Sequence, residues 1–228
     1  MKFKKLNLYT NKLESLFKFY AEILGFEIVE QKTNSFSVKA GWTELSFKKS
    51  DKEHVYHYCF LIPANKLEQA LAWMEDRIDI VEIEPGRKTQ NFASWNADSF
   101  YFYDTGGNIA EFIVRYDLGN STDTDFNISD VLGVNEIGMP TSNVKRINEQ
   151  LENELKTEFW KGNLTRFGTN GSEEGIFLLV NYNLKHIWYP TSIPILPEPF
   201  EAVMENKGQK YKVVFKSEQL ETSFIEKE

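Results

Sequence analysis

The chain has 228 residues, enough for one large domain or two small ones, and its 41% hydrophobic and 14% aromatic content gives ample material for a core. A formal charge of −8 argues against nucleic acid or an anionic membrane as partner, because phosphate recognition needs a basic face. One cysteine, Cys59, allows no intramolecular disulfide, and polar residues interrupt every apolar stretch, so no signal peptide or spanning helix is expected and the reading is a cytoplasmic protein.

From the N-terminus, Lys5 to Tyr9 alternates as a strand does. Leu13, Leu16, Phe17, Tyr20 and Leu24 then fall on one helical face, which Gly25 ends. Phe26 to Glu30, Ser35 to Lys39 and Thr43 to Lys48 read as three strands, completing a β-α-β-β-β unit. The pattern repeats. Asn11-Lys12-Leu13-Glu14 recurs as Asn65-Lys66-Leu67-Glu68, between a strand at His57 to Ile62 and a helix stripe of Leu67, Ala70, Leu71 and Met74. Asp79 to Glu84 and Ala93 to Tyr103 supply further strand material, and Asp104-Thr105-Gly106-Gly107-Asn108 marks a turn before a last strand, Ile109 to Tyr116.

Residues 118–130 are polar and read as a linker. A third, unit-like region covers 131–216. It opens with a strand at Val134 to Met139 and a helix stripe of Val144, Ile147, Leu151 and Leu155. Phe159-Trp160, Leu164 to Phe167 and Ile176 to Val180 read as strands. The prolines at 190, 194, 197 and 199 then forbid a central strand, so an irregular packed segment is expected before a strand at Tyr211 to Phe215. The charged residues 217–228 read as a loose tail.

The paired β-α-β-β-β units resemble the vicinal oxygen chelate superfamily, the glyoxalase, bleomycin-resistance and extradiol-dioxygenase group. The resemblance is carried by Phe19-Tyr20, Leu24-Gly25-Phe26 and Asp104-x-x-Gly107-Asn108-x-x-Glu111. It implies an α+β fold in which the modules at about 3–50 and 54–116, within residues 1–117, pair into a curved, cup-shaped sheet. It also implies a divalent metal on the cup floor, held from the first and last strand of each module. Those positions fall at Lys5 and His57, and at Glu44 and Glu111.

The strand period supports part of this assignment. His57 and Cys59 share one face and Phe60 and Ile62 the other, so the first face suits a cavity and the second a helix. Lys5, Asn7 and Tyr9 likewise lie opposite Leu6 and Leu8, while Glu44 and Glu111 lie opposite Leu45 and Phe112. His57, Glu44 and Glu111 form the expected set for Zn, Ni, Mn or Fe, with Glu44 and Glu111 as proton-shuttling carboxylates and Lys5, Asn7, Tyr9, Cys59 and Tyr101 as ligand-contacting residues. Lys5 departs from the superfamily, because an ammonium has no lone pair for a metal and instead pairs with a carboxylate. Glu136 takes the first-strand position of the third module, but Ile176 to Leu179 offers no carboxylate, so no second metal centre is expected there.

Two functions compete. One is a glyoxalase-like lyase or isomerase whose metal polarises a carbonyl or enediolate, with dioxygenase chemistry disfavoured by the missing first histidine. The other is a metal-free module that sequesters a small molecule, as bleomycin-resistance proteins do. An odd number of modules leaves one cup half-built, so pairing with the Pro-rich tail or a two-fold homodimer is expected.

Overall fold

The computed structural model describes residues 1–227, with side chains through Glu226. The first unit comprises β1 (Lys2–Thr10), α1 (Leu13–Phe17), β2 (Glu27–Lys32), β3 (Ser35–Ala40) and β4 (Thr43–Lys49). Beyond Phe17 the helix widens into π-type bonding over Lys18–Ile23, and Gly25, at φ +75°, turns the chain out of it. The second unit comprises β5 (His57–Leu61), α2 (Leu67–Glu75), β6 (Thr89–Phe92), β7 (Ala97–Tyr103) and β8 (Ile109–Arg115). The third comprises β9 (Gly133–Thr141), α3 (Val144–Leu155), β10 (Phe159–Gly162), β11 (Phe167–Ser172) and β12 (Gly175–Asn181). Three antiparallel strands close the chain, β13 (Phe200–Asn206), β14 (Gln209–Lys216) and β15 (Gln219–Lys227).

The fold is mixed α+β, rich in strands, and built from repeated modules. In each of the three complete units the first strand pairs in parallel with its own last strand, β1 with β4, β5 with β8 and β9 with β12. The free edge of each first strand then takes an antiparallel partner. Here the structure corrects the expected pairing. β5 joins β9, giving an eight-stranded sheet of order β10-β11-β12-β9-β5-β8-β7-β6, curled into a half-barrel. β1 joins β13, giving a seven-stranded sheet of order β15-β14-β13-β1-β4-β3-β2. The cup is therefore made by the second and third units, and the first unit is completed by the C-terminal strands.

Further differences are local. Residues 219–227, read as a loose tail, form the edge strand β15, because Leu220 has an apolar surface to bury against. Asp79 to Glu84 forms no regular strand; it makes only isolated bridges, Ile80 with Phe102 and Glu84 with Arg87. The segment 118–130 is pinned by Phe126, whose ring packs 5.9 Å from Trp73 and 6.1 Å from Phe112.

One apolar core lies between the two sheets and takes in the buried faces of all three helices. Leu6 and Leu8 of the first sheet and Phe60, Phe112, Ile137 and Phe177 of the second belong to it. Because side chains alternate along a strand, this commits His57, Cys59, Glu111 and Glu136 to the opposite, concave face.

A buried polar knot ties the second unit to the first helix. Asp104 Oδ1 accepts from the backbone N–H groups of Gly106 (2.9 Å) and Asn108 (3.0 Å). Its Oδ2 accepts from Tyr58 (2.6 Å), Asn108 Nδ2 (2.8 Å) and Tyr20 (3.1 Å). The Asp104-x-x-Gly107-Asn108 element thus has a physical role: one carboxylate closes the turn before β8 and satisfies two core tyrosines.

Candidate metal and ligand site

The concave face of the eight-stranded sheet carries the chemistry. Cys59 on β5 is in register with Glu111 on β8 and with Glu136 on β9, so the two carboxylates flank the same strand. His57, two residues before Cys59, shares its face. One ligand atom from each of His57, Glu111 and Glu136 lies within 4.8 Å of the others. All three residues are buried.

His57 Nδ1 lies 3.1 Å from the Ile109 carbonyl, to which it donates, so the Nε2 lone pair faces the cavity. That Nε2 is 3.5 Å from Glu111 Oε2. Burial pushes the His57 pKa down to about 4, which leaves the imidazole neutral at physiological pH. Burial, with the Glu136 carboxylate adding to it, pushes Glu111 up to about 8; the hydroxyls of Ser99 and Tyr101 and the Arg115 guanidinium act in the opposite direction. Glu136 is also raised by burial and is held back by Arg115. The Cys59 thiol is pushed up by burial and by both carboxylates, which disfavours a thiolate nucleophile.

Arg115 is the cation of this face and is fully buried. Its Nε donates to Asn135 Oδ1 (2.9 Å), its Nη2 pairs with Glu136, and its guanidinium lies 5.2 Å from the Trp160 ring and 5.6 Å from the Trp95 ring. On the far side of Glu136, β12 presents Ile176 and Leu178, both apolar, so the sheet offers three metal donors.

The segment between β12 and β13 closes the cup. Its hairpin is held by Trp188 N–H donating to the Ile193 carbonyl (2.9 Å) and by a bridge between Ile187 and Pro194. Trp188 is buried with its ring centroid 5.0 Å from that of His57. Gly138 on β9 makes this approach feasible, since a Cβ there would sit 2.7 Å from the Trp188 ring. The remaining cavity measures about 80 Å³ and is lined by His57, Glu111, Glu136, Tyr101, Trp95 and Lys185 among others.

The sequence-predicted residues divide between the two sheets. His57, Glu111, Cys59 and Tyr101 belong to this cup. Lys5 and Glu44 do not: they pair with each other at 2.8 Å on the seven-stranded sheet, partly exposed, because β1 and β4 are neighbours there. Asn7 and Tyr9 share that outer face, where both donate to Glu201 on β13, at 3.4 Å and 2.7 Å. Glu136 replaces Glu44 in the carboxylate pair. Its signal was its place, the first-strand position of the third unit, in a strand where a buried charge requires a partner. Arg115, Lys185 and Trp188 carried no spacing that could have marked them.

A sequence model described as the glyoxalase/bleomycin resistance protein/dioxygenase superfamily matches residues 2–112. Among solved structures, the chain is similar to lactoylglutathione lyase from Agrobacterium tumefaciens, at 17% identity and TM-score 0.40 over 48% of this chain and 90% of that one. It is similar to a glyoxalase/bleomycin resistance protein/dioxygenase from Alicyclobacillus acidocaldarius, at 16% and 0.42 over 52% and 94% of the two chains. It is also similar to a virulence protein from Salmonella typhimurium, at 21% and 0.40 over 50% and 97%. No curated protein matches the chain. The matched residues 2–112 span the first two units, and over that stretch the chain is similar to the glyoxalase/bleomycin resistance protein/dioxygenase superfamily.

Proposed function

We propose that this protein is a metal-dependent enzyme that binds a small carbonyl compound in the cup of its eight-stranded sheet, with a divalent transition ion held by His57 Nε2, Glu111 and Glu136. The observation that carries this reading is the convergence of one imidazole and two carboxylate ligand atoms, from three buried residues, within 4.8 Å of one another. The donor set suits Zn, Ni, Mn or Fe(II): the imidazole is neutral, its tautomer is fixed by a backbone carbonyl, and the two acids supply the negative charge. When bound, such an ion supplies Lewis-acid polarisation of a carbonyl or enediolate oxygen. The protein's own contribution is to exclude water with Trp188 and to hold the Glu111 carboxylate beside the His57 imidazole, where it would accept and return a substrate proton. The reaction in view is an isomerase or lyase step.

The test is metal content. Protein purified without chelator is expected to carry transition metal near one equivalent, and His57→Ala to lose it. Loading has a pH signature. Glu111 binds a proton in the folded metal-free protein up to about pH 8, against 4.5 as the ordinary value. Its raised value therefore favours folding below 4.5, and that contribution is lost as pH rises through 8. Metal loading at pH 7 is expected to release about one proton, by calorimetry in buffers of different ionisation enthalpy, and fewer above pH 8. Loading with no proton release at pH 7 would count against Glu111 as a ligand.

One observation favours the metal-free reading: Arg115 already pairs with Glu136 inside the cup and supplies a buried cation of its own. Protein that is metal-free as purified, with a melting temperature indifferent to added Zn, Ni, Mn and Fe(II), would support a small-molecule binding module instead.

A further inference from the structure

We infer that Lys185 is the anion-recognition residue of the cup, and that the ligand is a small carboxylate whose charge sits at the cup mouth beneath the Trp188 hairpin. The inference deepens the proposed function, since it names the ligand class of the same cavity, but it stands on separate residues.

Lys185 lines the cavity together with His57, Glu111 and Glu136. It is half-buried, and its ammonium forms no ion pair and no hydrogen bond among the described residues. It rests instead against two aromatic faces, 5.1 Å from the Phe167 centroid and 5.8 Å from that of Trp188. Five other lysines, Lys2, Lys4, Lys5, Lys12 and Lys48, each lie within 3.5 Å of a glutamate oxygen. A cation withdrawn from water without a carboxylate partner is costly to hold and is explained by a partner that arrives with the ligand. Arg166 lies near enough for its charge to act on Lys185, so this side of the chain is locally positive while the overall charge is −8.

The geometry also limits size and shape. The cavity, about 80 Å³, admits only a short molecule, and its walls at Trp95, Phe167 and Trp188 are apolar. A ligand that reaches from Lys185 toward His57 and Glu111 therefore needs one anionic end and, at the other, an oxygen directed at the acidic floor. A short 2-oxo acid has this form. The backbone of the hairpin sets the position: Lys185 N–H donates to the Asn181 carbonyl (2.9 Å), and the Tyr189 hydroxyl donates to Gln90 (2.6 Å), anchoring the segment over β6.

The experiment compares pyruvate with butane-2,3-dione, a neutral molecule of nearly the same shape, by calorimetric titration of the full chain as purified. Wild-type protein is expected to bind pyruvate at least about tenfold more tightly than the dione. Lys185→Met keeps the stem against Phe167 and Trp188 and is expected to lose that preference, whereas Lys185→Arg retains most of it. Metal content and melting temperature of both variants, expected to match wild type, report folding. Equal affinity of wild type for the two probes, no binding of pyruvate, or unchanged pyruvate affinity in Lys185→Met would overturn the inference. Failure of the metal reading is seen separately, as metal-free wild type that still prefers pyruvate through Lys185.

Discussion

Arg115→Met is expected to lower the stability of the metal-free protein by about 3–5 kcal/mol, because it strands a carboxylate in the interior. Glu136 is buried and Arg115 Nη2 is its partner. Methionine replaces the stem but brings no charge, and the packing against Trp95 and Trp160 is kept in part. In a chain of this length the loss corresponds to a melting temperature lower by about 10 °C. Its pH dependence identifies the cause. Burial already raises Glu136 above 4.5, and removing Arg115 raises it further. An acid whose folded-state pKa is raised loses its contribution to folding as pH climbs above the unfolded value, so the loss grows from pH 5 to pH 8. Glu136→Leu in the same background is expected to restore most of the stability at pH 8, since an apolar pair replaces a lone charge. A melting temperature equal to wild type at pH 8 would show that Glu136 finds other compensation. Added Zn or Mn is expected to rescue Arg115→Met more than wild type, as the ion takes over neutralisation of Glu136.

The second large effect lies outside the cup. Asp104→Ala removes the acceptor of five hydrogen bonds, from Gly106, Asn108 (two), Tyr20 and Tyr58. Two of those donors are hydroxyls of tyrosines with no exposure, which are left with only each other. At the low end of the range, about 1 kcal/mol for each donor deprived of its partner, the expected cost is about 5 kcal/mol. Asp104→Asn keeps an oxygen for the turn and is expected to lose roughly half as much. In the Asp104→Ala background, Tyr58→Phe should cost less than it does in wild type, because its hydroxyl no longer has the carboxylate to lose. Thermal melts of the four proteins decide it; strict additivity would refute a shared network.

Placement of the site shows what strand period carries and what it omits. The alternation around His57 and Glu111 committed both to one face, and the structure puts them 3.5 Å apart. Lys5 is expected to pair with a carboxylate, Glu44 or Glu111, and it pairs with Glu44 on the other sheet. What strand period could not supply was which pairs share a sheet. The superfamily match covers residues 2–112, the first two units in sequence, yet their strands lie in different sheets. Adjacency along the chain therefore misassigned Glu44 to the cup and left Glu136 out of it.

The sequence by itself determined the modules, their helices, the turn at Asp104 to Asn108 and the face on which each candidate side chain lies, because all of these follow from the local periods of strand and helix. Tertiary structure alone decided that β5 takes β9 and β1 takes β13. Any first strand presents the same unpaired backbone edge, and hydrogen-bonding groups there do not encode which partner fills it. That choice is made by the packing of the shared core between the sheets, and by the hairpin that carries the chain from one sheet to the other while laying Lys185 and Trp188 across the cup.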